Sequence, residues 1–120
     1  MKHALVIEDN KDNIVLITKI LEYAGFQTSR AVTGEQGFEL AMQTSPDFIL
    51  LDINLPGIKG DEVLKKIRQT ASIAKIPVIA VTSEAMSGDK ARLMALGFNG
   101  YIEKPIDPGE FISQVESVVQ

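Results

Sequence analysis

The sequence predicts an α/β fold, a doubly wound five-stranded parallel sheet with helices on both of its faces. Three observations lead there. Short apolar runs alternate five times with stretches whose apolar residues recur at helical spacing. The inner runs are continuously apolar, as strands covered on both faces require. Alternation of this kind implies right-handed βαβ crossovers, and therefore parallel strands.

The first run, His3 to Ile7, is closed by Glu8 and Asp9 and reads as a buried strand. From Asp12 to Ala24, Ile14, Ile17, Leu21 and Ala24 fall on one helical face, and Gly25 follows as a stop. Gln27 to Ala31 is shorter on apolar residues, as an edge strand would be. Thr33 with Gln36 forms a capping box that opens a helix to about Thr44, before Pro46. The run Phe48-Ile49-Leu50-Leu51 is the most apolar of the chain and ends at Asp52, which makes it a central strand.

After a loop from Ile53 to Gly60, Val63, Leu64 and Ile67 mark a third helix. Pro77 to Val81 forms a fourth strand ending at Thr82, and a helix is predicted over about Gly88 to Leu96, stopping at Gly97. Tyr101-Ile102 opens a short fifth strand that ends near Lys104. Asp107, Pro108 and Glu110 then supply an N-cap, a first-turn proline and a capping-box acid for a last helix to about Val119. The apolar residues of these helices are assigned to the core.

Composition bounds the function. The 120 residues suit one domain over 1–120, and 45% hydrophobic with 23% charged residues is ordinary for a globular protein. A formal charge of −4 argues against DNA or an anionic membrane as partner. The lack of cysteine removes disulfides, thiolate metal sites and a cysteine nucleophile. No apolar run is long enough for a signal-peptide core or a membrane span, so a cytoplasmic location is expected.

In an open parallel sheet, ligands collect beyond the carboxyl ends of the strands. The residues there are Glu8, Asp9, Asp52, Thr82 and Lys104, contributed by four strands. Three converging carboxylates repel one another unless a cation or a proton intervenes. With no cysteine, and with His3 at the far end of its strand, Mg²⁺ is the natural cation and Mn²⁺ is possible. An ammonium and a hydroxyl beside such a site suit the oxygens of a phosphoryl group. An aspartate can itself be the nucleophile, and Asp52 is best placed. Singly, each of these residues reads more readily as a turn former, a strand residue or a solvated lysine; their joint placement points to chemistry.

The set Glu8-Asp9, Asp52 with Leu55-Pro56 and Gly60, Thr82-Ser83, and Tyr101 before Lys104-Pro105 resembles the response-regulator receiver domain of two-component signalling, the CheY-like fold. The likeness runs the length of the chain. It implies a flavodoxin-like (βα)5 sheet in strand order 2-1-3-4-5. It implies that Asp52 is the phosphoacceptor, served by a sensor histidine kinase or a histidine phosphotransfer protein. Mg²⁺ would be held by Asp9, Asp52 and the backbone carbonyl of Asn54, with Glu8 acting through water. Lys104, Thr82 and the Ser83 N–H would bind the phosphoryl oxygens. Asn54 and Glu84 flank the site and would tune dephosphorylation. Thr82 and Tyr101 would form the switch, remodelling a docking face made by the fourth helix, fifth strand and fifth helix for a downstream protein.

Two other readings carry less. An aspartate-based small-molecule phosphohydrolase wants an acid where this chain has Asn54. A receiver-like adaptor that works without phosphorylation has no need of the complete set of reactive residues. Met1, and an end just past the last helix, lead us to expect a free-standing protein.

Overall fold

The structure, a computed structural model, describes residues 2–83 and 89–119. It contains β1 (His3–Ile7), α1 (Lys11–Tyr23), β2 (Gln27–Ala31), α2 (Gly34–Thr44), β3 (Phe48–Asp52), α3 (Gly60–Gln69), β4 (Val78–Thr82), α4 (Asp89–Leu96), β5 (Gly100–Glu103) and α5 (Pro108–Val119). The strands form one parallel sheet in the order β2-β1-β3-β4-β5, the flavodoxin-like order.

Alternation along each strand builds two cores. Leu5, Ile7, Ile49, Leu51, Val78 and Ala80 point to the face covered by α2, α3 and α4, where Ala41, Val63, Leu64, Ile67 and Leu93 meet them. Their neighbours Ala4, Val6, Phe48, Leu50, Ile79 and Val81 point to the opposite face and pack on Ile14, Ile17, Leu21, Phe111 and Val115 of α1 and α5. All five residues of β3, and all five of β4, are buried, so these runs have no polar face to show. In β2 only Ala31 is buried, which fits its place at the sheet edge.

The termini follow the local chemistry. Asn10 caps α1 by accepting the Asn13 N–H at 3.0 Å. Thr33 Oγ1 accepts the Gln36 N–H, while Gln36 Oε1 reaches past Thr33 to the Val32 N–H, a capping box displaced by one residue. Asp107 Oδ1 accepts the Gly109 N–H at the start of α5. Gly97, at φ +110°, ends α4 in a conformation open to glycine.

Some expectations need correction. Ala24 is the exposed C-cap of α1, not a core residue, because the helix closes at Tyr23. Pro77 precedes β4; lacking an N–H, it contributes only its carbonyl, which accepts from Ile49 N–H. The helical apolar residues are not all core, since Val15, Tyr23, Met42, Met94 and Leu96 are exposed. Gly88, the predicted start of the fourth helix, lies outside the described residues, as does Glu84. Among the described residues no helix is long and apolar enough to cross a membrane.

Candidate functional site

Register places the polar strand ends beside one another. Ile7 pairs with Leu51, so Glu8, the residue after β1, stands level with Asp52; Asp52 pairs with Val81, and Thr82 with Glu103. Backbone bonds carry the alignment beyond the strands: Glu8 N–H donates to Ala31 O, Ile53 N–H to Val81 O, and Lys104 N–H to Thr82 O. The chain turns away from the sheet only after the reactive side chains have been delivered.

Glu8, Asp9 and Asp52 each offer a carboxylate oxygen, and these atoms all lie within 4.8 Å of one another. Glu8 and Asp52 are buried, while Asp9 is exposed, so the cluster opens to solvent on one side. The Lys104 ammonium stands 3.0 Å from Glu8 Oε1 and 3.4 Å from Asp52 Oδ2. The other Glu8 oxygen accepts the Asn10 N–H, and Asp52 Oδ1 accepts the Asn54 N–H at 3.0 Å. Thr82 is buried on the next strand, Ser83 is exposed directly after it, and Tyr101 is half-buried against the α2–α3–α4 core. The Lys104-Pro105 peptide is cis.

One ammonium does not neutralise three carboxylates. Burial raises Glu8 to about 7, reinforced by its hydrogen bond with Asp52 and by the Asp52 charge, against the pull of Lys104 and of the Asn10 N–H. Burial works on Lys104 in the opposite sense, lowering it, but the bond to Glu8 and the charges of Asp52 and Glu8 outweigh this and leave its pKa above the ordinary lysine value. Glu8 therefore holds its proton to higher pH than an ordinary glutamate. A hard divalent cation fits the same place, since all-oxygen donors open on one side are what Mg²⁺ takes.

The structure thus brings Glu8, Asp9, Asp52, Thr82 and Lys104 to one edge. Asn54 is exposed on the loop after β3, and Glu84 is not described. His3 is at the opposite edge, where its Nε2 lies 2.7 Å from Ser29 Oγ.

Two contacts went unread in the sequence. Gly60, which the sequence offered only as part of the receiver-like set, begins α3 directly against the Asp52 and Ile53 backbone. Arg68 Nη1 donates to Ala74 O and Ile76 O, and its Nη2 to Gly97 O and Asn99 Oδ1, at the far edge of the sheet.

Known proteins place this arrangement. Residues 4–116 match the response regulator receiver domain. The chain is 40% identical over 116 residues to the polar-differentiation response regulator DivK of Brucella ovis, covering 97% of this chain and 94% of the relative. A response regulator of Burkholderia multivorans shares 34% identity with a TM-score of 0.78, covering all of this chain and 96% of its own. The receiver domain of sensor histidine kinase PA1611 from Pseudomonas aeruginosa, solved with a magnesium ion in its active-site cleft, superposes with a TM-score of 0.89 at 28% identity, covering 98% of this chain and 97% of its own. The acidic cluster at the carboxyl edge of a 2-1-3-4-5 sheet and these likenesses lead to one assignment: the chain belongs to the response regulator receiver domain family of two-component signalling.

Proposed function

We propose that this chain, read as one receiver domain, is a phosphorylation-driven switch whose phosphoacceptor is Asp52. The observation that carries the reading is the convergence on Asp52 of two further carboxylates and the Lys104 ammonium. Asp9 and Asp52 would ligate Mg²⁺ (or Mn²⁺) directly, with the Asn54 carbonyl, and Glu8 through water. When bound, the ion neutralises charge on the oxygens of the phosphoryl group in transfer.

The donor is a phosphohistidine on a sensor histidine kinase or a histidine phosphotransfer protein. His3 is the one histidine of this sequence, and it is hydrogen-bonded at the opposite edge, so the donor lies elsewhere, on another protein or another domain. A carboxylate oxygen of Asp52 attacks phosphorus and the P–N bond breaks. The imidazole nitrogen keeps the electron pair and takes up a proton, leaving an acyl phosphate on Asp52. Lys104 exchanges its pairing with Asp52 for a phosphoryl oxygen, while the Thr82 hydroxyl and the Ser83 N–H donate to others. Asn54, and Glu84 by its place in the sequence two residues beyond Thr82, would tune the hydrolysis that later returns Asp52 to its free carboxylate, so the chain acts catalytically only on itself.

Movement of Thr82 toward the phosphoryl group lets Tyr101 turn inward and changes the α4-β5-α5 face. A downstream protein that prefers the inward form would in turn favour phosphorylation. No DNA or membrane contact is needed, and the cytoplasm is the expected location.

Acetyl phosphate with Mg²⁺ is expected to label the wild type and not Asp52→Asn, and a chelator to stop labelling. Mass spectrometry that places the phosphoryl group on another residue overturns the assignment.

A further inference from the structure

Among the described glycines, Gly60 stands apart in what a side chain there would strike. A Cβ at Gly60 would lie 2.7 Å from the carbonyl oxygen of Asp52 and 2.8 Å from Ile53 Cα, both backbone atoms. At Gly34, Gly37 and Gly100 the nearest atoms are side-chain carbons of Ile58 and Val63, of Ile7 and of Val118, which have rotamers to explore. The Gly60 N–H also donates to Ile53 O at 3.1 Å, so the start of α3 is both in contact with the end of β3 and tied to it.

Neither partner has room to retreat. β3 is the central strand, hydrogen-bonded to β1 and β4, and α3 is fixed by the buried side chains Val63, Leu64 and Ile67. The displacement therefore falls on the short loop that joins them. That loop includes Asn54, whose N–H holds Asp52 Oδ1.

We infer that Gly60 is a positioning residue for the phosphoacceptor. Its missing side chain lets α3 abut the Asp52–Ile53 backbone and hold the Asp52 carboxylate in register with Glu8, Asp9 and Lys104. The inference rests on the reading of Asp52 as phosphoacceptor. Its magnitude follows from geometry: displacing a reacting group by about 1 Å costs on the order of a hundredfold in rate. Relief of the overlap at Gly60 requires several tenths of an ångström.

The test compares Gly60→Ala with Val115→Ala, which thins the core on the opposite face of the sheet. Both are melted thermally, then assayed well below their transitions for acetyl phosphate labelling and, separately, for Mg²⁺ affinity by calorimetry. The expected result is a fall of roughly tenfold or more in labelling rate for Gly60→Ala, with weakened Mg²⁺ binding, while Val115→Ala matches the wild type in both. Equal behaviour of the two variants overturns the inference. Labelling absent from the wild type itself overturns the phosphoacceptor reading instead, and the Mg²⁺ comparison still decides the role of Gly60. If Gly60→Ala does not fold, amide exchange in the wild type decides. Slower exchange of the Gly60 N–H on Mg²⁺ addition, with the Gly37 N–H unchanged, supports the coupling, and no change at Gly60 refutes it.

Discussion

The two edges of this sheet are built on opposite electrostatic plans. At the carboxyl edge Glu8 and Asp52 pair with the Lys104 ammonium beside Asp9, and burial, reinforced by Asp52, pushes Glu8 up to about 7. At the amino edge Arg68 places two nitrogens on four acceptors from the α3–β4 segment and the turn after α4. Asn99 Oδ1 also accepts the Val78 N–H, while the Asn99 N–H donates to Val78 O. One edge keeps an excess of negative charge beside Lys104; the other is satisfied internally and holds the layers together. The satisfied network and the acidic cluster are thus placed about one strand length apart.

The largest expected effect on stability lies at the satisfied edge. Arg68→Ala leaves three backbone carbonyls without this donor and frees the tie between α3 and the α4–β5 turn. A loss of about 3 kcal/mol is expected, or a melting temperature lower by roughly 10 °C. Asp52→Asn, at the other edge, is expected to melt no lower than the wild type in metal-free buffer, because it removes a repelling charge. Thermal melts of the two variants check the contrast, and a larger loss in Asp52→Asn would break it.

Lys104→Met is expected to have a smaller effect that depends on pH. Without the ammonium, Glu8 answers by holding its proton more firmly, which limits the loss to about 1 kcal/mol near neutrality and reduces it in acid, where Glu8 is protonated. The same change takes a positive charge from beside the cation site, so Mg²⁺ affinity should rise several-fold. Calorimetric titration that shows weaker binding would mean that Lys104 organises the carboxylates more than it competes with the cation.

Glu8 gives a pH signature with a definite sign. Its folded pKa of about 7 lies above the ordinary glutamate value of 4.5, so between those values the folded chain binds more proton than the unfolded one. The stability it contributes is complete below about 4.5 and is lost as pH rises through about 7. Metal-free protein should therefore become less stable to urea across that window, and Glu8→Gln should flatten the slope. With Mg²⁺ present the dependence inverts, since binding must displace the proton and grows stronger toward higher pH. A metal-free slope of the opposite sign would remove the proton from the description of this site.

What was legible in the sequence divides along the same line as the two edges. The carboxyl edge could be read because each residue there ends an apolar run: Asp52 after Phe48 to Leu51, Glu8 after Ala4 to Ile7, Thr82 after Val78 to Val81. The polar face of Gln27 to Ala31 likewise marked β2 as the edge strand. Arg68 gave no such signal. It sits among Lys65, Lys66 and Gln69 like any solvated helix residue, and two of its acceptors lie 29 and 31 residues away. Gly60 read as the end of a loop and as one residue of the family pattern, but not as a contact, because the distance to a carbonyl eight residues earlier is set only by folding. The elevated pKa of Glu8 was equally invisible, since it comes first from burial.

The smallest effect expected is the most direct test that the edges are independent. His3 lies at the amino edge, its N–H donating to Asp47 Oδ2 at 2.7 Å and its Nε2 hydrogen-bonded to Ser29 Oγ. His3→Gln keeps the backbone bond, because that bond does not involve the side chain, and gives up only a half-buried side-chain contact worth roughly 0.5 kcal/mol. Acetyl phosphate labelling of His3→Gln should equal that of the wild type within twofold, and Mg²⁺ affinity should not move. A larger change would mean that the strand carries strain from one edge to the other, and the charge deficit around Asp52 could then no longer be treated as a local property of the carboxyl edge.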